Sequence, residues 1–192
     1  MGEKPTGAGN STFDLVDGER LFEELNLREG QVVLDAGCGP GDYALGAAGR
    51  VTSSGTVVAV DLWEEGIEAL KSAAEARGIH HLDAHVADIA REIPVDDDVV
   101  DVVLMAAVLH DLLRDDDHNG ALAEVKRVLN PTGTFAVVEF RKLKGSPGPP
   151  VEIRLSPQEV EALLHPHGFT PTRTVEVGLF HYLSAFRLGP TA

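Results

Sequence analysis

Short apolar runs alternate along the chain with segments whose hydrophobic residues recur at helical spacing. Such runs, when rich in β-branched residues and bounded by turn residues, are typical of buried strands. They lie at residues 31–35, 56–61, 82–86, 99–106, 134–140, 172–177 and 181–188. Helical patterns lie at residues 14–27, 43–49, 64–77, 122–129 and 156–168. Strands that alternate with helices predict an α/β fold, with a parallel sheet covered by helices on both faces.

The bulk properties of the chain fit one globular domain. Its 192 residues, 43% hydrophobic and 24% charged, suffice for a single sizeable core. We expect a flexible tail at 1–11 and one domain at 12–192. No apolar run approaches the ~18 residues that cross a bilayer, and residues 1–11 lack the apolar core of a signal peptide. A cytoplasmic protein without a membrane span is therefore expected.

Charge and cysteine content narrow the classes of partner. The formal net charge is −15, and a surface of this sign repels phosphate backbones, which argues against a nucleic-acid substrate. Cys38 is the single cysteine, so an internal disulfide and a cysteine-rich metal site are excluded. The histidines around the third strand fall on different faces of it, and we expect no metal there.

Glycines and carboxylates gather where the first two strands end. The second strand ends at Asp61, and the first leads into the loop Asp35-Ala-Gly37-Cys38-Gly39-Pro-Gly41. Parallel sheets bind ligands beyond the carboxyl ends of their strands. Glycines permit a sharp turn and a close approach to a ligand, and an acid at the end of the second strand accepts hydrogen bonds from ribose hydroxyls. The combination suits a dinucleotide or a nucleoside cofactor.

Two details favour S-adenosylmethionine over a dinucleotide. The glycine spacing is G-x-G-x-G, whereas dinucleotide loops run G-x-G-x-x-G, and Asp42 stands where the last glycine would be. Asp35 at the loop entrance would oppose a pyrophosphate but attract the ammonium and sulfonium groups of S-adenosylmethionine. The alternative without a ligand is a tight turn in which Asp35 caps backbone amides.

Further candidates follow the second and third strands. Asp88 can accept a hydrogen bond from an adenine amino group, and Ile89 beside it offers an apolar side chain to the ring. Leu62, directly after Asp61, would pack on the same ring. The alternative for Asp88 is an ordinary surface turn.

The end of the fourth strand is the natural place for residues that face a methyl group. It reads Ala106-Ala-Val-Leu-His110-Asp111. His110 is the candidate catalytic residue, as a general base or a hydrogen-bond partner of the substrate, because imidazole titrates near neutrality. Asp111 or Asp115 would orient it, and a histidine that caps a helix start is the structural alternative. After the fifth strand, Glu139 and Arg141 are expected to form a structural pair.

The loop Asp35 to Gly41, Asp61, Asp88 and the strand from Val102 to Ala106 resemble the motif series of class I S-adenosylmethionine-dependent methyltransferases. Over residues 14–188 the chain is similar to the small type 11 group that includes the ubiquinone/menaquinone C-methyltransferases. The resemblance implies a Rossmann-like three-layer sandwich with a mostly parallel seven-stranded sheet, in the order 3-2-1-4-5-7-6 with strand seven antiparallel.

The same resemblance implies the roles of the cofactor residues. The loop from Asp35 to Gly41 would hold the methionine end and Asp61 the ribose, with Ala106 also among the cofactor contacts. The adenine would lie against Leu62, Asp88 and Ile89.

We therefore expect methyl transfer from S-adenosylmethionine, with S-adenosylhomocysteine as the product, to a small molecule. Alignment and exclusion of water carry most of such a reaction, and a base is needed only for an acceptor that arrives protonated. A non-catalytic S-adenosylmethionine-binding module for regulation or assembly is the alternative, and a nicotinamide-dependent oxidoreductase is disfavoured by Asp35. The connection 141–155 is the only sizeable lid candidate. Because this connection is short, we expect a substrate pocket that is either shallow or completed by the N-terminal helix or by a second subunit, the last of which would make the protein a homodimer.

Overall fold

The computed structural model describes Gly9 and residues 11–189. Of the predicted tail at 1–11, only Gly9 and Ser11 fall within these residues, and residues 190–192 of the predicted domain also lie outside them. The strands are β1 Val32–Ala36, β2 Thr56–Asp61, β3 Leu82–Val86, β4 Val100–Ala106, β5 Leu129–Phe140, β6 Phe169–Glu176 and β7 His181–Leu188. The α-helices are α1 Gly18–Leu25, α2 Asp42–Val51, α3 Glu64–Ala76, α4 Leu109–Arg114, α5 His118–Val128 and α6 Pro157–Leu164.

The strands form one seven-stranded sheet in the order β3-β2-β1-β4-β5-β7-β6. Neighbouring strands from β3 to β5 are parallel. Strand β7 runs antiparallel to both β5 and β6. The predicted fold class, strand order and strand direction are confirmed.

Burial on both faces explains why the central strands read as continuous apolar runs. In β4, Val102 and Leu104 join the cluster formed with α1, α2 and α3. Val103 and Met105 point the other way, into the cluster formed with α4, α5 and α6. The fold thus has three layers.

Among the described residues, no helix has both the length and the apolar character that a membrane span requires.

The first helix differs from the prediction for residues 14–27. The segment begins with a 3₁₀ turn at Phe13–Leu15 and continues as α1 only from Gly18. Between them the Asp17 carboxylate accepts a hydrogen bond from the Arg20 backbone and so caps α1. The Asp17 backbone N–H donates to the Val177 carbonyl at 2.9 Å, which draws this segment against the β6–β7 hairpin instead of continuing the helix.

Other elements also differ from the prediction, among them β6, which begins at Phe169 rather than at residue 172. The short helix α4 was not predicted, because its six residues are too few for a periodic signal. Strand β5 begins at Leu129 rather than at residue 134. The capping box at Ser156 and Glu159 is present as predicted and starts α6.

Candidate active site

A cleft of about 710 Å³ opens at the carboxyl edge of the sheet. Its wall combines strand ends, the N-terminal segment and the connection that follows β5. Most of the predicted site residues line it, namely Gly37, Cys38, Gly39, Asp61, Leu62, Asp88, Ile89, Ala106 and His110. Asp35 and Gly41 are the exceptions, and they lie at the two ends of the glycine loop. The sequence therefore predicted residues that the fold brings together.

The three loop glycines have different surroundings. All have positive φ, at +77° for Gly37, +53° for Gly39 and +87° for Gly41, the region that disfavours other residues. A Cβ at Gly37 would lie 2.7 Å from Val108, and one at Gly41 would collide with Leu70, whereas one at Gly39 would meet nothing within 4 Å. Only Gly39 leaves space on the ligand side, and the other two glycines allow close packing within the protein.

Asp35 is the most unusual group of the loop. Its side chain is 2% exposed, and neither carboxylate oxygen makes a well-formed hydrogen bond with a described residue. Burial, with the negative charge of Asp61, raises the pKa of Asp35 to about 7. The backbone amide of Ala44, in the first turn of α2, acts to lower this pKa, as the capping alternative expects, but burial and the charge of Asp61 outweigh it. A buried carboxylate with so little stabilisation is costly, and a cationic ligand would relieve that cost.

Asp61 holds the loop as well as facing the cleft. One carboxylate oxygen accepts from the Gly39 backbone N–H and the other from that of Trp63, both at 2.8 Å. The Cys38 backbone N–H donates to the Val60 carbonyl at 3.0 Å. Since a carboxylate offers about four acceptor sites, Asp61 retains capacity for ribose hydroxyls. The sequence did not indicate its structural role in the loop.

The predicted adenine side carries an apolar surface beside a carboxylate. Leu62 lines the cleft and is 54% exposed, whereas Ile89 also lines the cleft but is buried. One oxygen of Asp88 accepts from the Ala90 backbone at 2.9 Å, and the other lies 3.8 Å from the Arg91 guanidinium. This arrangement suits a flat heterocycle with an exocyclic amino group.

His110 lies in the cleft wall, paired with Glu139. Ala107, with φ at +57°, turns the chain after β4 so that α4 begins at once. The His110 side chain is 5% exposed, and Glu139 is fully buried. The two Glu139 oxygens lie 2.9 and 3.0 Å from His110 Nδ1. A carboxylate only accepts hydrogen bonds, so Nδ1 is assigned the hydrogen.

The pair predicted between Glu139 and Arg141 was wrong, and the main partner of His110 is Glu139, with Asp111 as a more distant neighbour. Asp111 Oδ2 is 3.8 Å from His110 Nε2, and both Asp111 and Asp115 pair with Arg114 at 2.7 and 2.8 Å. Arg141 pairs with Glu176 at 2.8 Å instead of with Glu139. One signal in the sequence did point to Glu139. It is an acid within a buried apolar strand, a position where carboxylates are rare unless they are paired.

The charge on His110 reflects opposing effects. Burial acts to lower the pKa of the imidazole, but the hydrogen bond and charge of Glu139, with the charge of Asp111, outweigh it. The net result is a pKa raised above the ordinary value for histidine. The pair is thus suited to accept a proton.

Part of the cleft lining is apolar and comes from segments distant in sequence. It is formed by Leu15, Phe140, Pro149, Pro150 and Ile153. The connection 141–155 lines the cleft here, as expected of the lid candidate.

A buried arginine that the sequence analysis missed organises that connection. The Arg154 guanidinium donates to the carbonyls of Pro149, Arg141 and Pro147 at 2.8, 2.9 and 3.0 Å. It also stands over the Phe140 ring, 5.3 Å from the centroid. No carboxylate of the described residues pairs with it. Its partners lie in an irregular loop, so neither periodicity nor a motif predicted this role.

The N-terminal segment completes the cleft. Ser11, Thr12 and Leu15 line it, and the Thr12 hydroxyl lies 2.8 Å from the Tyr43 hydroxyl. Phe13 packs edge-on against Tyr43, with 5.0 Å between ring centroids. Of the predicted helix at 14–27, only Leu15 in its 3₁₀ start lines the cleft, and no residue of α1 does. The homodimer stays a prediction.

Comparison with known proteins identifies the family. A family model described as "Methyltransferase domain" matches residues 33–133. A ubiquinone/menaquinone biosynthesis C-methyltransferase of Idiomarina loihiensis is 33% identical over 116 residues, which are 60% of this chain and 45% of that protein. A 2-phytyl-1,4-naphtoquinone methyltransferase of Trichormus variabilis is 31% identical over 132 residues, 64% and 55% of the two chains. The chain spans about half the length of these curated relatives.

A solved structure matches over nearly the whole chain. The crystal structure of a SAM-dependent methyltransferase from Aquifex aeolicus is 30% identical, covers 93% of each chain and gives a TM-score of 0.84. The family model alone covers more than half of the present sequence. The chain therefore belongs to the class I S-adenosylmethionine-dependent methyltransferases, in the small type 11 group.

Proposed function

We propose that the protein transfers a methyl group from S-adenosylmethionine to a small-molecule acceptor held beside His110. The observation that carries this proposal is the continuity of the cleft. The predicted cofactor residues and the His110–Glu139 pair line or support one cavity of about 710 Å³. A site that only bound the cofactor would need no buried base opposite it.

The residues present fit the cofactor. Asp35, whose burial raises its pKa to about 7, would complement the ammonium of the methionine end. Gly39 leaves open space beside the loop. Asp61 would take ribose hydroxyls, and Leu62 with Asp88 would take the adenine. S-adenosylmethionine supplies a methyl group already activated by the positive charge on sulfur.

The remaining contributions come from the chain itself. The N-terminal segment and the connection 141–155 cover the cleft and exclude water, which strengthens the electrostatic interactions inside it. The apolar wall around Phe140 orients an acceptor, and alignment of the reacting atoms is the main requirement of such a transfer. His110 is proposed as the general base or hydrogen-bond partner of that acceptor.

The acceptor is proposed as a small molecule rather than a nucleic acid. The net charge of −15 opposes a polyphosphate, and Asp111, Asp115 and Asp117 stand at the cleft. The two curated relatives carry quinone names, which agrees with an apolar acceptor.

Two measurements test the proposal. Calorimetric titration with S-adenosylmethionine, S-adenosylhomocysteine and NAD should show binding of the first two only. Incubation with methyl-labelled donor and a pool of metabolites should place label in a small molecule. Binding of NAD in their place would contradict the proposal, and cofactor binding without any transfer would favour a non-catalytic module.

A further inference from the structure

We propose that the acceptor carries a neutral hydroxyl group on an apolar body, and that Glu139 is a positioning residue that holds His110 to take the proton from that hydroxyl. This inference rests on the methyl transfer proposed above and extends it to the class of acceptor. Three observations carry it: the surroundings of Glu139, the open ring nitrogen of His110 and the chemistry of the cleft wall.

Most of the side-chain hydrogen bonds of Glu139 lead to His110. Besides His110 Nδ1, its oxygens accept from the His110 backbone N–H at 3.2 Å and the Phe140 backbone N–H at 3.3 Å. Among the described residues, His110 is the only charged partner within ion-pair distance of this buried carboxylate. Burying a carboxylate is costly, and the ion pair that offsets this cost joins Glu139 to one imidazole ring.

This arrangement fixes which ring nitrogen faces the acceptor. Because Nδ1 holds its hydrogen towards Glu139, Nε2 carries the lone pair when the ring is neutral. Nε2 makes no hydrogen bond to a described residue, and the ring lines the cleft. Asp111, 3.8 Å away, is too distant to accept a hydrogen bond from it. Nε2 is therefore free to accept a proton.

The charges around the ring favour the protonated product of that step. Burial opposes the imidazolium, Glu139 and Asp111 stabilise it, and Arg114 opposes it. Phe140 meets the ring edge-on, with 6.4 Å between centroids, and adds no charge. Without Glu139, burial would dominate and the pKa of His110 would fall.

A base of this kind matters most for a hydroxyl. A neutral amine already carries a lone pair, a carboxylate is ionised near neutrality, and a thiol with a pKa of about 8.5 is partly ionised. A phenol, with a pKa of about 10, retains its proton at neutral pH. The walls formed by Leu15, Phe140, Pro149 and Ile153 call for an apolar body around that hydroxyl.

The step balances without a further reagent. The hydroxyl proton passes to His110 Nε2, and the electron pair left on oxygen forms the bond to the methyl carbon. The bond between that carbon and sulfur breaks with its pair on sulfur, so the positive charge moves from sulfur to the imidazolium. The imidazolium then releases its proton to water.

The acceptor class is tested with phenols and alcohols alongside amines, thiols and carboxylates of matched shape, such as 4-ethylphenol, 4-ethylaniline, 4-ethylthiophenol and 4-ethylbenzoate. Full-length protein and labelled S-adenosylmethionine are used, and products are identified by mass spectrometry and NMR. We expect methyl ethers from the hydroxyl compounds. The inference would be overturned by methylation of only the amines or thiols, by methylation at carbon, or by the absence of an ether from every hydroxyl compound. In each of these cases, cofactor binding would still support the proposed methyltransferase site. Loss of cofactor binding would remove the proposed function itself.

The role of Glu139 is tested by Glu139→Gln, with Glu176→Gln, which removes an exposed carboxylate, as the matched control. We expect kcat to fall ~100-fold at unchanged KM, with the pH profile displaced to lower pH. NMR titration of the His110 ring in the cofactor-free protein should show the same displacement, absent in the control. An unchanged His110 titration would overturn the role. If Glu139→Gln fails to fold, Glu139→Asp replaces it, with a smaller displacement in the same direction.

Discussion

The side of the cleft proposed for the cofactor and the side proposed for the acceptor, called here the cofactor side and the acceptor side, are built in different ways. On the cofactor side, each group follows the end of its own strand, and the glycine loop is held by contacts to the neighbouring strand β2. On the acceptor side, His110 depends on Glu139, and Phe140 and Pro149 depend on Arg154. On the cofactor side, each group is placed by the strand that precedes it in the sequence. On the acceptor side, the groups are placed by side-chain contacts between segments that are distant in sequence. The first is therefore suited to bind one constant ligand, and the second to vary with the acceptor.

The largest expected effect separates the two sides directly. His110→Ala removes the proposed base, so we expect kcat to fall ~100-fold or more. The affinity for S-adenosylmethionine should stay unchanged, because the cofactor contacts are elsewhere. Steady-state kinetics and calorimetry measure the two quantities on the same preparation. Equal turnover in variant and parent would remove the role of His110.

The next largest effect concerns the frame of the acceptor side. Arg154→Leu leaves several buried carbonyls without donors, and we expect the free energy of unfolding to fall by about 2–4 kcal/mol. KM for the acceptor should rise more than Kd for the cofactor. Urea denaturation and kinetics measure these changes. The exposed Arg173→Leu serves as the control, and similar losses in both variants would contradict the assigned role.

Asp35→Asn should act in opposite directions on stability and on binding. The folded pKa of Asp35, about 7, exceeds its ordinary value of 3.8, so this group destabilises the cofactor-free protein increasingly as pH rises from about 4 to 7. At pH 8 the variant should therefore be more stable by about 2–3 kcal/mol, as measured by urea denaturation.

Binding gives the second half of this test. A cationic ligand favours ionised Asp35, so affinity for S-adenosylmethionine in the parent should rise between pH 5.5 and 7.5 by up to ~10-fold per pH unit below 7. The variant should bind more weakly and lose this pH dependence. Calorimetry across the range measures it, and an identical slope in both proteins would contradict the proposed ammonium contact.

The smallest expected effect lies at Asp61. Asp61→Ala should weaken cofactor binding by about 1–3 kcal/mol. The variant loses the proposed contacts to the ribose, and it also loses the hydrogen bond from the Gly39 backbone N–H that holds the loop. Asp83→Ala, on an exposed position of β3, is the control for loss of negative charge. Calorimetry measures both. Unchanged affinity in Asp61→Ala would count against the placement of the ribose.

The sequence predicted the sheet, and it placed the candidate cofactor residues at one cleft, because their signals are short-ranged. Apolar runs mark strands buried on both faces, and the residue after each strand end is fixed at the ligand-binding edge by topology. Asp61 and Asp88 could therefore be placed together although they belong to different strands. The resemblance to a known family supplied the strand order, which periodicity alone does not determine.

The acceptor side was predicted less completely for a physical reason. Glu139 could pair with Arg141 because residues two apart on a strand share a face, but β5 ends at Phe140 and Arg141, outside the strand, pairs with Glu176. The partner of Glu139 lies on α4. Arg154 acts through main-chain carbonyls of an irregular loop. Such contacts depend on how the chain folds back on itself, and no local residue pattern encodes them.

The hydrogen bonds between Arg154 and its loop affect how the enzyme could acquire new acceptor specificities. Apart from the Ser146 hydroxyl, the groups that its guanidinium binds are backbone carbonyls, which every amino acid possesses. Side chains at positions 149, 150 and 153, which line the cleft, can therefore be exchanged while the loop keeps its path. Gly148 cannot, because its φ is +106° and a Cβ there would collide with the Phe140 ring. The three exchangeable positions are a natural target for directed evolution. A library confined to them would change the choice of acceptor while the fold and the cofactor side stay the same.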